Sequence, residues 1–201
     1  MALFGNPSNK STNFTLVDAT KIFKDEGVDC FLLDFPGKMG NVQTVVVPLQ
    51  ALPFEEAAMT LVMIPGMEEF TDGLSMLQFN LLYPLKDIPS PDALAHLQRL
   101  MCKANFGLSV GAFLYDDDMN HIVLRYNLAF NKVKDQHMDM KLTRIKYLFF
   151  SNFQTHLGPM EKLAMGEITY DEVFEKELVP YPAHSKYSEV FSNERLDDCR
   201  K

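Results

Sequence analysis

The sequence has no tryptophan, only three cysteines, no long apolar run and no excess of positive charge. Cys30, Cys102 and Cys199 lie too far apart for a C-x-x-C zinc or redox pair, so we expect free thiols in a reducing compartment. The apolar runs stop well short of the roughly 18 residues that a membrane-spanning helix needs. With 27 acidic against 19 basic side chains, the net charge of −8 argues against nucleic acid as the partner.

The remaining composition is that of a folded globular protein, with 47% apolar and 23% charged residues. The N-terminus lacks the basic segment and apolar stretch of a signal peptide, so we expect a cytoplasmic protein. Pattern changes along the chain divide it into three parts. We predict a flexible arm over residues 1–14, a single α+β domain over 15–163, and a short helix and tail over 164–201.

Helix starts are marked by local capping signals. A hydroxyl residue with a carboxylate three positions later predicts capping boxes at Thr15 and Thr169. Ser90 followed by Pro91 predicts another N-terminus, and Gly27 is placed to end the first helix. The helix from Thr169 is predicted to run to about residue 178.

A long helix is predicted from near residue 135, because apolar residues recur there every three or four positions. Its seam consists of Met138, Leu142, Ile145, Phe149, Phe153, His156, Met160 and Leu163. Gly158 and Pro159 predict a break, with the long helix ending near Leu157. His156 is expected to be a hydrogen-bonded core or interface histidine.

Six segments have strand character, four before the second helix and two after it. They are residues 28–35, 42–49, 58–64, 74–83, 108–115 and 121–130. The last alternates between apolar and mixed positions, which is typical of a sheet with one face under helices. We therefore predict an α+β fold of order α-β-β-β-β-α-β-β-α plus a short C-terminal helix, with helices packed on a mainly antiparallel sheet.

The long helix also carries a second apolar stripe, away from its seam. Met140, Tyr147 and Phe150 form this stripe, and a helix that is apolar on two sides usually contacts two partners. One would be its own sheet, and the other a second subunit or a client protein. We predict these three residues as partner or dimer contacts.

Two short motifs resemble catalytic or metal sites. Ser109 lies in a G-x-S-x-G pattern, but a nucleophile elbow needs a strand before the serine and a helix after it, and here the order is reversed. A serine hydrolase through Ser109 is therefore a minor alternative. The acidic run 116–118 lacks the central glycine and closing glutamate of a calcium loop, so it is interpreted as a solvated hairpin turn. We predict no catalytic residue, metal or cofactor.

The order of elements, with certain runs of residues, resembles the YbjN-like proteins, which are labelled bacterial sensory transduction regulators. The runs are LMCKAN at 100–105, the hairpin FLYDDDMNHIVLRYNLAF at 113–130 and KYLFFS at 146–151. The resemblance covers about residues 15–160, and the fold of these proteins resembles type III secretion chaperones. This chain departs from the chaperones, which typically have three strands before the second helix and lack the additional helix and tail.

The resemblance implies a non-enzymatic, bacterial protein that is acidic, cytoplasmic and homodimeric and that holds a client protein. We accordingly predict a chaperone-like or adaptor module that binds a partner through apolar sheet and helix surfaces. The alternative is a regulator or inhibitor of a target protein, or a sensor of a small ligand, of bacterial or phage origin. Neither nucleic acid nor membrane is expected as a partner.

Overall fold

The computed structural model describes four stretches of the chain, which are residues 13–37, 40–49, 56–132 and 137–179. Residues 1–12 of the predicted arm and 180–201 of the predicted tail lie outside these stretches. Within them, the chain forms four α-helices, six β-strands and one short 3₁₀ turn. The bounds are α1 Leu16–Asp25, β1 Phe31–Gly37, β2 Gly40–Pro48, β3 Ala58–Ile64, the 3₁₀ turn Met67–Glu69, β4 Ser75–Pro84, α2 Pro91–Gly107, β5 Ala112–Asp116, β6 His121–Phe130, α3 Met138–Ala164 and α4 Tyr170–Glu175.

The predicted fold class and element order are confirmed. The strands form one six-stranded antiparallel sheet in the order β1-β2-β3-β4-β6-β5, and the helices pack on it. β1 is therefore a terminal strand, and β2 is an interior one. Pro48, which as a proline indicated either an edge or a strand end, is the last residue of β2.

The capping signals are confirmed at three helix starts. Thr15 and Thr169 each form a complete capping box, with Asp18 and Glu172 respectively, and the Ser90 hydroxyl accepts a hydrogen bond from the backbone of the first turn of α2. Each satisfies backbone N–H groups that a helix start leaves unpaired. These starts depend on neighbouring residues only, which is why sequence analysis places them correctly.

Two strands begin later than predicted, because the residues before them end a helix or turn the chain. Val28 donates its N–H to the carbonyl of Phe23 and Gly27 donates to Lys24, which forms a Schellman motif at the end of α1. β1 consequently starts at Phe31 and not at residue 28. Gly111 has a φ of +84°, so β5 starts after it instead of at residue 108.

The predicted break of the long helix is wrong, since α3 continues through Pro159 to Ala164. Met160, Leu163 and Ala164 are completely buried. Their burial outweighs the roughly 3 kcal/mol that an interior proline costs a helix. The predicted seam is confirmed, because all eight of its residues are buried. By contrast, α4 ends at Glu175, earlier than predicted, because Glu177 adopts a left-handed conformation with φ of +51°.

The chain divides into two compact units, and β4, β6 and α3 each contribute to both. The first unit comprises residues 1–81 and 126–147. In it, α1 packs on β1, β2 and β3. The Phe14 ring contacts the Phe130 ring edge to face at 5.5 Å between centroids, which ties the start of the described chain to the end of β6.

The second unit comprises residues 82–125 and 148–201, and its core is aromatic. Phe113 stacks on Phe153 at 6.4 Å, and Tyr83 meets Phe153 edge to face at the same distance. The Tyr83 hydroxyl donates to Glu161 at 2.6 Å, so its polar end is satisfied. Ile122, Val123 and Leu124 are all buried, so both faces of this part of β6 are covered.

Candidate functional site

The register of the first three strands brings apolar residues together on one face of the sheet. Phe31 is paired with Val46, Leu33 with Thr44 and Phe35 with Val42. Thr44 is in turn paired with Val62 of β3. Paired residues in a sheet project to the same side. The apolar members of this set are Phe31, Leu33, Phe35, Val42, Val46 and Val62, which we call the open face.

The open face is exposed, whereas the opposite face of the same strands is covered. Phe31, Leu33 and Phe35 retain 55%, 44% and 46% of their accessible surface. On the opposite face, Val45 and Leu61 are completely buried, together with Val47 and Met59. The apolar residues of α1 that face inward, Leu16, Ala19 and Phe23, are also buried. We call this second side the covered face.

The open face becomes polar away from β1. The Asn80 side-chain amide donates to the Thr60 hydroxyl at 3.4 Å, and the Gln78 amide donates to Asn127 at 2.9 Å. These side chains are held by one another, which limits what they can offer to a ligand. The part of this face suited to apolar contact therefore lies on β1, β2 and β3.

A partly buried ion pair joins the C-terminal end of α1 to α3. The Lys146 ammonium and the Thr143 hydroxyl both donate to the Glu26 carboxylate. The Lys146 side chain is only 5% exposed, and its nitrogen lies 5.8 Å from the centre of the Phe23 ring. Partial burial acts to raise the pKa of Glu26, but the hydrogen bonds from Lys146 and Thr143 outweigh it and lower that pKa. The contact therefore holds two helices together through a charge pair.

An open groove of about 390 Å³ lies beside this ion pair. It is lined by Ile22, Asp25, Glu26, Asp139, Met140, Thr143 and Arg144. The lining combines two apolar side chains with charges of both signs. Such a mixture accommodates a polar molecule with an apolar part.

The three predicted contact residues are not brought together into one site. Met140 lines the groove and is 46% exposed. Tyr147 is 65% exposed, with the Lys146 nitrogen 5.0 Å from its ring centre. Phe150 is half-buried and belongs to the second unit. Their role as partner contacts stays a prediction.

The segment around Ser109 has the helix-before-strand order that the sequence indicated. Ser109 is exposed in the bend between α2 and β5. The second glycine of the motif has a structural reason, because a Cβ at Gly111 would lie 3.1 Å from the carbonyl oxygen of Arg125 and its φ is positive. The motif is thus explained by chain packing at this bend.

The acidic run 116–118 forms the turn between β5 and β6, as predicted. Its three carboxylates lie within 4.8 Å of one another, and that of Asp116 accepts a hydrogen bond from the backbone of Met119. Asn120 completes the turn with a φ of +52° and donates to the carbonyls of Leu85 and Lys86. An Asp and an Asn in these roles are typical of a structural turn.

His156 is confirmed as a hydrogen-bonded core histidine. Its Nδ1 pairs with the carbonyl of Asn152 at 2.7 Å, and its ring lies 5.4 Å from the Phe113 ring. Burial lowers the pKa of His156, so the ring is neutral near pH 7. The neutral state suits a position within an aromatic core.

Sequence reasoning missed the open face and the partly buried ion pair. The segment CFLLDF is apolar at both odd and even positions except for Asp34, so it does not show which side helices cover. Nothing in the sequence distinguishes Lys146 from a surface lysine of the long helix. Strand alternation places Phe31, Leu33 and Phe35 on one side of β1, but nothing in the sequence indicates that this side is exposed.

No protein-family model matches this sequence, and no curated protein matches it. Among the described residues, every helix is too short or too polar to cross a bilayer. What can be inferred for the open face and for the groove beside α3 therefore depends on the geometry of their residues.

Proposed function

We propose that this chain is a non-enzymatic protein-binding module that holds a partner protein on the open face. The observation that carries the proposal is the row of Phe31, Leu33 and Phe35, each about half exposed on a sheet whose other side is already covered. Contiguous exposed apolar surface on a soluble fold commonly marks an interaction site.

The charge of the protein and of the open face supports this proposal. The net charge of −8 keeps a protein with exposed aromatic residues in solution. The open face contains no charged residue, so an apolar segment of a partner can contact it without desolvating an ion. A chaperone or adaptor with a partly unfolded client would use such a surface.

The resemblance to YbjN-like proteins and to secretion chaperones points in the same direction. It implies a cytoplasmic, homodimeric protein that binds another protein instead of transforming a substrate. Met140, Tyr147 and Phe150 of α3 remain predicted partner contacts that are separate from the open face.

A double variant at two valines of the open face tests this surface directly. Val46→Thr together with Val62→Thr keeps β-branched side chains on two strands but adds hydroxyls where a partner would contact methyl groups. We expect the wild-type protein to slow the aggregation of a reduced, permanently unfolded test protein, followed by light scattering. The double variant should lose most of this protection because its face binds apolar segments more weakly.

The matched control is Val17→Thr, the same change at an exposed valine of α1. It should protect as well as the wild type does. The proposal is wrong if the wild type gives no protection at several-fold excess, or if the double variant protects fully.

A second candidate function is a regulator that senses a small ligand. The groove lined by Asp139, Met140 and Arg144 favours it. Isothermal titration with small amines and carboxylates would support this function if saturable heat appears and Met140→Glu removes it. Absence of heat from either class would count against the groove.

A further inference from the structure

Among the residues that the structure describes, β1 is a terminal strand of the sheet and no strand pairs with its outer edge. We propose that this edge pairs with β1 of a second copy, antiparallel and centred on Leu33. The inference rests on the proposed function, because it extends the same open face across two copies.

Pro36 shows which residues of β1 direct their backbone groups outward. A proline has no N–H, so within a paired strand it is placed where that position faces away from the neighbour. Alternate residues of a strand share this direction. All of β1 is in register with β2, but the backbone groups of Leu32, Asp34 and Pro36 are inferred to point to the free edge, and those of Phe31, Leu33 and Phe35 to bond to β2.

A two-fold axis at Leu33 makes the edge complementary to itself. Leu33 then lies opposite Leu33 of the second copy, and each Phe31 lies opposite a Phe35. Aromatic cross-strand pairs are among the most favourable in sheets. The outward backbone groups of Leu32 meet those of Asp34 in the other copy, so each side offers both an N–H and a carbonyl.

A two-fold axis at Asp34 is much poorer. It places the two Asp34 carboxylates directly opposite each other, and like charges in that position are destabilising. It also sets Leu32 against Pro36, which has no N–H to donate. Charge and hydrogen bonding therefore select the register centred on Leu33.

The size of the contact predicts a weak dimer. With an aromatic side chain offering about 200 Å², the exposed parts of Phe31, Leu33 and Phe35 amount to about 300 Å² per copy. Standard interfaces bury about 800 Å² per partner. We expect a dimer that dissociates on dilution and that places the two open faces side by side, where the apolar surface that the dimer leaves exposed is available to a client.

Disulfide trapping tests the register. Paired residues without mutual hydrogen bonds have Cα atoms about 4.5 Å apart, which a disulfide can bridge. In a background of Cys102→Ser and Cys199→Ser, with Cys30 left in its buried position, Leu33→Cys should form a covalent dimer under mild oxidation. Phe31→Cys alone should not, because its two copies lie about 13 Å apart.

A mixture of Phe31→Cys and Phe35→Cys proteins should form the crosslink again, because the register places these positions opposite each other. A crosslink of Phe31→Cys alone that equals that of Leu33→Cys would overturn the register. Failure of Leu33→Cys to crosslink at concentrations where the wild type sediments as a dimer would show a different interface and overturn the proposal.

Asp34→Pro tests the edge itself, because it removes an outward N–H that β2 does not use. Sedimentation equilibrium should show the wild type approaching a dimer as its concentration rises, and the variant staying a monomer with its melting temperature retained. A wild type that is monomeric throughout would overturn the proposal. If the monomeric wild type also bound an added, extended apolar peptide at β1, the occupant of the edge would be a strand of another protein.

The two proposals fail separately. Val46→Thr with Val62→Thr lies outside the paired edge, so it should abolish client protection and leave the dimer mass unchanged. A dimer without client protection would contradict only the proposed function, and protection by a strictly monomeric protein would contradict only the pairing of β1.

Discussion

The two faces of the β1–β3 sheet contain similar apolar residues but differ in how much of their surface is exposed to solvent. Val45 and Leu61 of the covered face are completely buried, whereas Val46 and Val62, the next residues along the same strands, are only half-buried. Burial stabilises by roughly 25 cal/mol per Å² of apolar surface. The covered face therefore supplies folding free energy, whereas the open face leaves part of its apolar surface exposed to solvent.

The largest expected difference in the free energy of unfolding is between substitutions at Leu61 and Val62, which are adjacent in β3 but lie on opposite faces. Leu61→Ala should lower the free energy of unfolding by about 2–5 kcal/mol, because it opens a cavity in the covered face. Val62→Ala, one residue away, should lower it by less than about 1 kcal/mol. Urea unfolding at pH 7 measures both. Equal losses would mean that the two faces are equally packed.

The ion pair under α1 should give the next largest effect. Glu26→Gln leaves the buried Lys146 ammonium without its counter-charge, and we expect a loss of about 2 kcal/mol at pH 7. This is below the usual range for a broken buried pair, because the Glu26 side chain keeps 26% exposure. Asp25→Asn, an exposed neighbour, is the control and should change little.

The stabilisation that Glu26 provides should decrease as the pH falls. The pKa of Glu26 is lowered in the folded protein, so its contribution is complete above the unfolded value near 4.5 and is lost as the pH falls through the folded value. The difference between wild type and Glu26→Gln should thus shrink below about pH 4.5. A difference that stays constant to pH 3 would show that the charge of Glu26 is unimportant.

The smallest effect is expected on the exposed side of α3. Tyr147→Ser should cost about 0.5–1 kcal/mol, which is the usual size of an exposed cation–π contact such as that with Lys146. Ile145→Ala, on the buried seam of the same helix, should cost about 2 kcal/mol or more. Thermal unfolding compares them. A large loss at Tyr147 would place it in the folding core and remove it as a contact residue.

Local signals in the sequence were sufficient for most of the fold. The caps at Thr15, Ser90 and Thr169 and the bounds of β3 and β6 are correct, because each depends on a few adjacent residues or on simple alternation. The break expected at Pro159 failed because burial of distant partners decides whether a helix tolerates proline. Sequence spacing contains no information about that burial.

The candidate site was harder to foresee than the fold. Met140 and Tyr147 lie on the exposed side of α3 as expected, since helical periodicity separates them from the seam. The exposure of Phe31 was not predictable, because β1 is apolar on both sides and only packing of α1 decides which side is covered. The link between Glu26 and Lys146 spans 120 positions and leaves no local pattern.

The chain order of α1, β1, β2 and β3 also has a consequence for biosynthesis. These elements are consecutive, and contacts between residues close in sequence form early and fast. They also leave the ribosome before the rest of the chain. We therefore expect α1 and β1–β3 to fold while the residues that follow them are still being translated, before Lys146 of α3 is available to pair with Glu26.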